Sequence, residues 1–267
     1  MKKETRIRTA RGGSPKRVGL ARALSKLGYC SRSRAEELIA EGRVKWNGTV
    51  RRDTETPVHL GKDRIEIDGQ PVARSSKIYL ALNKPRGIVT TAADEKGRDT
   101  VYSFLPENLP WVAPVGRLDK ASEGLLLLTN DSEWAARITA PDTHLDKTYH
   151  VQIGAVADEQ LLNALRNGIR ASDGEFLRVK TIGTLRHGDR NSWLEIVLDE
   201  GKNRHIRRMF EALKIEVLRL VRVGIGPFLL GDLPKGATRA LAPEEKQALD
   251  RAMRIAIQLP ASLLRAH

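Results

Sequence analysis

The sequence predicts an α+β fold for the larger part of this chain, and three observations carry that prediction. From residue 78 onward strand-like runs outnumber helical ones, and the two do not alternate regularly, so a mixed, largely antiparallel sheet with helices set against it is expected. No glycine-rich loop of the P-loop or dinucleotide-binding kind opens a helix, and no nucleotide cofactor is expected. Charge divides the chain: residues 1–76 hold 18 Lys and Arg against 9 Asp and Glu, while residues 77–267 hold 28 against 24. A small basic module therefore precedes a larger, nearly balanced one.

The 267 residues give room for one large domain or for two. A net charge of +13 and a pI near 10.1 point to a polyanionic partner, nucleic acid before membrane. No apolar run approaches the roughly 18 residues that span a bilayer. The basic N-terminus has no apolar stretch behind it, so no secretory signal is expected. Cys30 stands alone, which excludes an internal disulfide and fits a reducing cytoplasm. With six scattered histidines beside it there is no zinc spacing, and no metal is expected.

In chain order, Met1–Arg17 is rich in Lys and Arg, lacks apolar periodicity and reads as a disordered arm. An RNA contact and a plain solubilising tail are both open for it. Leu20, Leu24 and Leu27 then fall at helical spacing, closed by Gly28. Ser33 and Glu36 form a capping box opening a second helix through Ile39, stopped at Gly42. Arg43–Trp46, Asn47-Gly48 and Thr49–Arg51 read as a hairpin with a type I′ turn. Short strands follow at Val58–Leu60 and Arg64–Ile67, and Arg74–Lys77 is a polar linker.

Ile78–Asn83 opens the second module as a strand turned by Lys84-Pro85-Arg86-Gly87. Thr100–Leu105 has room for one or two helical turns. The apolar run Leu125–Leu128, bounded by Gly124 and Asn130-Asp131, suits a strand buried on both faces. The polar segment before it carries Arg117 and Asp119. By spacing alone this is equally a solvated surface pair or a set of reactive groups on a loop braced by a core strand.

Ser132–Thr139 reads as a short helix capped by Asp131 or Ser132, Lys147–Ile153 as an alternating strand, and Asp158–Asn167 as a helix stopped by Gly168. Two strand-like runs come next, Arg178–Leu185 and Trp193–Leu198. Ile206, Phe210 and Leu213 give the following helix an apolar face, with Arg204, Arg207 and Arg208 on its other faces. Val217–Val223 is expected as the last strongly apolar strand, and a terminal helix runs from Pro243 to about Met253.

Gly116-Arg117-Leu118-Asp119, followed by Ser122-Glu123-Gly124 and Leu125 to Thr129, resembles the catalytic motif of RNA pseudouridine synthases of the RsuA/RluB group. The segment from Leu82 to Thr91 and the segment from Gly201 to Met209 resemble two further motifs of that group, in the right order. The last departs from the pattern by reading Arg204-His205 where His-Gln is frequent, which puts local RNA contacts in doubt. Two short helices followed by Val44-Lys45-Trp46-Asn47-Gly48 resemble the RNA-binding domain first seen in ribosomal protein S-four.

The resemblance implies an RNA-binding domain (18–76) and a synthase catalytic domain (77–250), lying between the disordered basic arm (1–17) and a C-terminal tail (251–267). It implies Asp119 as the carboxylate that attacks or stabilises the sugar or base, and Tyr149 packing on the base with its hydroxyl placed for proton transfer. Arg207 is then the basic partner that keeps Asp119 ionised, and Arg117 the group that enters the RNA stack as the uridine leaves. Tyr149 also reads as an ordinary strand tyrosine. Arg22, Lys26, Arg32, Arg34, Arg43 and Lys45, with Arg204 and Arg208, are the expected RNA contacts, each singly also a surface charge. The implied protein is a cytoplasmic, monomeric enzyme of ribosomal RNA that isomerises one uridine without cofactor. Large-subunit RNA comes first and small-subunit RNA second. An RNA-binding ribosome-assembly protein with a catalytically silent domain, a nuclease and a nucleoside hydrolase are the rival readings.

Overall fold

The computed structural model describes residues 17–91 and 98–258. The expected N-terminal arm, apart from Arg17, and the end of the expected C-terminal tail lie outside the described residues. The chain divides into two compact units between Ser76 and Lys77.

The first unit begins with β1 (Val18–Gly19), α1 (Leu20–Lys26) and α2 (Arg32–Ala40). It continues with β2 (Val44–Trp46), β3 (Thr49–Val50), β4 (Pro57–Val58), β5 (Ile65–Ile67) and β6 (Gln70–Pro71). β1 pairs with β4, and the other four form an antiparallel sheet ordered β3-β2-β5-β6. Leu20 and Leu24 of α1 pack with Leu38 and Ile39 of α2 on Val44, Val58, Ile65 and Ile67. The β2–β3 turn has positive φ at both Asn47 (49°) and Gly48 (82°), as a type I′ turn requires. The cap of α2 differs from expectation. Ser31, with extended backbone, accepts the Arg34 amide at 3.0 Å, so the helix starts earlier and Ser33 lies inside it.

The second unit contains β7 (Tyr79–Lys84), a 3-10 turn at Val101–Phe104, β8 (Ala113–Pro114), β9 (Glu123–Thr129) and α3 (Ser132–Thr139). Next come β10 (Lys147–Ile153), α4 (Glu159–Asn167), β11 (Ile169–Arg170), β12 (Phe176–Leu177), β13 (Thr181–His187) and β14 (Ser192–Leu198). The unit closes with α5 (His205–Ala212), β15 (Val217–Ile225), β16 (Phe228–Leu229), β17 (Thr238–Ala240) and α6 (Pro243–Gln258). The main sheet is ordered β13-β14-β10-β15-β9-β7-β17. Its one parallel pairing along this order joins β15 to β9; the rest are antiparallel. The fold is α+β with a mixed, mostly antiparallel sheet.

β9 is buried along its whole length. Leu125 and Leu127 face a cluster completed by Trp134 and Ile138 of α3 and by Leu249 and Met253 of α6. Leu126 and Leu128 face the other way, onto Leu80, Leu82, Val101, Val112 and Leu118. A third cluster packs α4 and α5 on β10 and β14 through Leu162, Leu165, Ile206, Phe210, Val151 and Ile196.

Three points differ from expectation. The short strand β17, which adds to the edge of β7, is not among the expected strands; its three residues Thr-Arg-Ala carry no apolar pattern to reveal it. α6 extends to Gln258, so the expected tail is helical at its start, Met253 continuing the buried stripe begun by Leu249. β13 starts at Thr181 and not Arg178, although the Lys180 amide already bonds to Val197.

Gly124 is where β9 meets its parallel neighbour. Its φ is +99°, and a Cβ there would strike the Arg222 carbonyl oxygen and lie 2.8 Å from the Arg222 amide nitrogen. Backbone cannot yield as a flexible side chain does. Gly124→Ala is therefore expected to lower stability by about 3 kcal/mol, combining left-handed strain with overpacking. Thermal or urea denaturation of purified protein checks this.

Candidate active site

The loop that leads into β9 is fastened at almost every residue. Val115 donates its amide to Leu127, and Leu118 is buried in the cluster beneath β9. The Thr90 hydroxyl donates to the Leu118 carbonyl at 2.8 Å, and the Gly87 amide donates to the Lys120 carbonyl at 2.7 Å. Ser122 closes a turn by donating its amide to the Asp119 carbonyl at 2.9 Å. Leu118 thus anchors the loop between Arg117, which is exposed, and Asp119, whose side chain keeps 33% of its surface open. Two polar groups stand out from a segment that has little freedom to move.

Beneath the loop lies Lys84, fully buried at the end of β7. Its ammonium donates to the carbonyls of Pro85 (3.0 Å), Asp119 (3.2 Å) and Ser122 (2.8 Å), which uses all three of its protons. Burial pushes its pKa from 10.5 down to about 8; Asp119 and Glu123 oppose that change and Arg222 adds to it. The folded state releases this proton before the unfolded chain does. Between about pH 8 and 10.5 the unfolded chain holds more protons, so the linked contribution to stability rises with pH across that window. Lys84→Met should remove that rise, and urea unfolding at successive pH values of the two proteins checks it.

Glu123, 3% exposed, is another buried charge. It accepts two bonds from Arg219, each 3.1 Å, and one from Lys235 at 2.6 Å. Burial works to raise its pKa, but the bonds from Arg219 and Lys235 outweigh it and hold the carboxyl below its usual value.

Arg207 projects from α5 toward the same loop. It donates to the Ala121 carbonyl at 3.0 Å and to the Val217 carbonyl at 3.4 Å. The guanidinium thus grips the loop backbone two residues beyond Asp119, the carboxylate expected as its partner. Burial, then the charge of Arg204, depress its pKa, and Asp119 works in the opposite direction. Arg204 instead approaches the Asp119 carboxylate, with Nη1 at 4.0 Å from Oδ2.

Tyr149 is half-buried on β10, where the ladder with β15 shifts register between Thr148 and Tyr149. Its ring packs against the cluster that contains Leu118 and against the one beneath α4 and α5. Asp119, Tyr149 and Arg207 are thus tied to one region of the second unit through Leu118 and Ala121.

The expected RNA contacts divide. In the first unit Arg22 and Lys45 are exposed, and Lys26 is half-buried. Arg32 lies 3.4 Å from Glu36, Arg34 2.7 Å from Glu37, and Arg43 makes a two-pronged bond to Asp68. Arg208 is the most engaged of them: it is bonded to Asp173 and Glu175 and keeps only 17% of its side-chain surface.

Lys84, Arg86 and Glu123 escaped the sequence reading as site residues. Lys84 had one visible signal, a lysine ending an apolar strand run just before Pro85. Among the described residues no group of three His, Cys, Asp or Glu side chains is placed to hold a metal ion, and no helix is long and apolar enough to cross a membrane.

Comparison with known proteins bears on the whole arrangement. The profile of the family described as RNA pseudouridylate synthase matches residues 78–212, and that of the S4 domain matches residues 18–65. The ribosomal large subunit pseudouridine synthase B of Bacillus subtilis is 40% identical over 86% of this chain and 94% of its own length. An uncharacterized RNA pseudouridine synthase of Aquifex aeolicus is 39% identical over 88% of this chain and 95% of its own. A crystal structure of a pseudouridylate synthase superposes with a TM-score of 0.61 at 29% identity, covering 87% of this chain and 99% of that one.

Proposed function

The chain belongs to the RNA pseudouridylate synthase family, and from that premise we propose that it converts one uridine of large-subunit ribosomal RNA to pseudouridine, with Asp119 as its catalytic carboxylate. The observation that carries this reading is the loop itself: an accessible carboxylate held on an otherwise fastened segment that Arg207 grips at Ala121, with Tyr149 packed against the cluster that contains Leu118.

The reaction breaks the bond from N1 of the base to C1′ of the sugar, turns the base, and joins C5 to C1′. The proton on C5 leaves to solvent and N1 ends protonated, so the RNA neither gains nor loses atoms. The target base is first flipped out of its stack, at a cost of a few kcal/mol. Arg117, exposed at the loop's edge, is suited to fill the space it vacates, because a planar guanidinium stacks on bases. Asp119 then acts as nucleophile or as the charge that stabilises the sugar. Tyr149 lies against the base with its hydroxyl available for proton transfer. Arg207 fixes the loop through the Ala121 carbonyl and adds positive potential near Asp119.

The S4 domain serves as the RNA anchor in this reading, with Arg22 and Lys45 the side chains most open to phosphate. The large-subunit assignment follows the Bacillus relative's printed name, and a monomer acting in the cytoplasm fits it. Mapping pseudouridine in ribosomal RNA from cells with and without the gene tests the proposal. One large-subunit position is expected to lose its modification and regain it on complementation. An unchanged large-subunit map would overturn the assignment, and a lost small-subunit position would move it.

A further inference from the structure

Asp119 stands among more positive charge than it neutralises. Arg204 approaches it at 4.0 Å, an ion pair too long for a hydrogen bond, and the Arg204 side chain is 48% exposed. Arg204 also holds left-handed backbone (φ 48°) just before α5 and makes no capping bond there. That conformation is uncommon for a residue other than glycine, and more so for a long side chain. Arg207, by contrast, is half-buried and fixed on two backbone carbonyls. A third guanidinium, Arg86, is exposed and donates to the Leu218 carbonyl at 3.3 Å. Arg207 feels the charges of Arg204 and Arg86 as well as that of Asp119. Arg204 thus faces the carboxylate, while Arg207 and Arg86 donate to the adjacent carbonyls of Val217 and Leu218, and the mutual repulsion of these three guanidiniums is relieved when another anion arrives.

We propose that Arg204 is an exchangeable counter-ion: in the free protein it pairs with Asp119, and on RNA binding it passes to a backbone phosphate beside the target uridine. Arg86 supplies the second guanidinium of that phosphate subsite. The inference rests on Asp119 being the catalytic carboxylate. It gives Arg204 a positioning role, because its departure leaves the carboxylate free to meet the sugar while Arg207 still holds the loop. The loose side chain moves and the clamped one stays.

The test is a set of binding titrations on in vitro transcribed large-subunit ribosomal RNA at several salt concentrations. The proteins are wild type, Arg204→Ala, Arg204→Lys, Arg86→Ala, Asp119→Asn and the Asp119→Asn/Arg204→Ala double variant. Arg204→Ala and Arg86→Ala should each lower the slope of log affinity against log salt by about 0.7 to 0.9, one phosphate contact apiece. Arg204→Lys should keep the wild-type slope, since it keeps the charge. Asp119→Asn frees Arg204 in advance and should tighten binding about two- to fivefold, the range of an exposed ion pair. That gain should vanish when Arg204 is already alanine. A wild-type slope for Arg204→Ala or for Arg86→Ala, or an equal gain from Asp119→Asn in both backgrounds, would overturn the proposal. Turnover by Asp119→Asn would instead overturn the catalytic reading of Asp119, and it leaves the binding cycle free to report on the exchange.

Discussion

Asp119→Asn is expected to abolish turnover while RNA binding survives. The amide keeps the size of the carboxylate and much of its hydrogen bonding, and the backbone of the loop is held by Lys84, Thr90 and Gly87 independently of the Asp119 side chain. What disappears is the negative charge, and with it the capacity to attack or to stabilise the sugar that is proposed for Asp119. Loss of a group that acts on the reacting atoms lowers kcat by about 10⁴ or more. Tritium release from C5 of labelled uridine in RNA measures this, beside a binding titration on the same preparation. Appreciable release by the Asn variant would remove Asp119 from the mechanism.

Arg207→Ala carries the next largest effect. The guanidinium joins α5 to the Ala121 carbonyl and to the start of β15, and its removal frees the segment that follows Asp119. A displacement of about 1 Å in a reacting group is enough to reduce rate about a hundredfold. The loss should appear in kcat far more than in affinity, because the side chain faces the protein's own backbone. Arg207→Lys should recover part of it, keeping the charge while losing the planar fork that reaches two carbonyls. Near-normal turnover by Arg207→Ala would show that the loop needs no such clamp. Single-turnover kinetics at saturating RNA separate the two outcomes.

Much of the architecture was legible because its signals are local. Asn47-Gly48 can adopt the two positive φ values of a tight hairpin, and Asp158 and Gly168 bound α4 as cap and stop. Leu125–Leu128, a short apolar run bounded by Gly124 and Asn130-Asp131, suited a strand covered on both faces. The errors arose where two local answers compete or where none is written. Ser31 and Ser33 are both plausible caps, and the choice fell to the one whose backbone is extended next to buried Cys30. β17 is an edge strand defined by the partner it meets, β7, and its own residues announce nothing.

The site shows the same division. The positions of Asp119, Tyr149 and Arg207 followed from resemblance, yet the partner of each followed only from folding. That Arg207 takes the Ala121 carbonyl, that Arg204 takes the carboxylate and that Arg208 is consumed by Asp173 and Glu175 depend on how α5 meets loops distant in sequence. Lys84 is hardest to foresee. A lysine is seldom fully buried, and it lies so here because three carbonyls of a tight loop converge on one point.

The proposed reaction is an isomerisation performed by the protein's own side chains. The most direct measurement incubates the purified chain with in vitro transcribed large-subunit ribosomal RNA, in chelator and without cofactor, followed by nucleoside analysis and intact-mass measurement. Pseudouridine gained should equal uridine lost, at one position, with the RNA's length and mass unchanged. A cut strand, released uracil, or unmodified RNA at enzyme excess would contradict it, identifying in turn a nuclease, a nucleoside hydrolase and a catalytically silent RNA-binding protein.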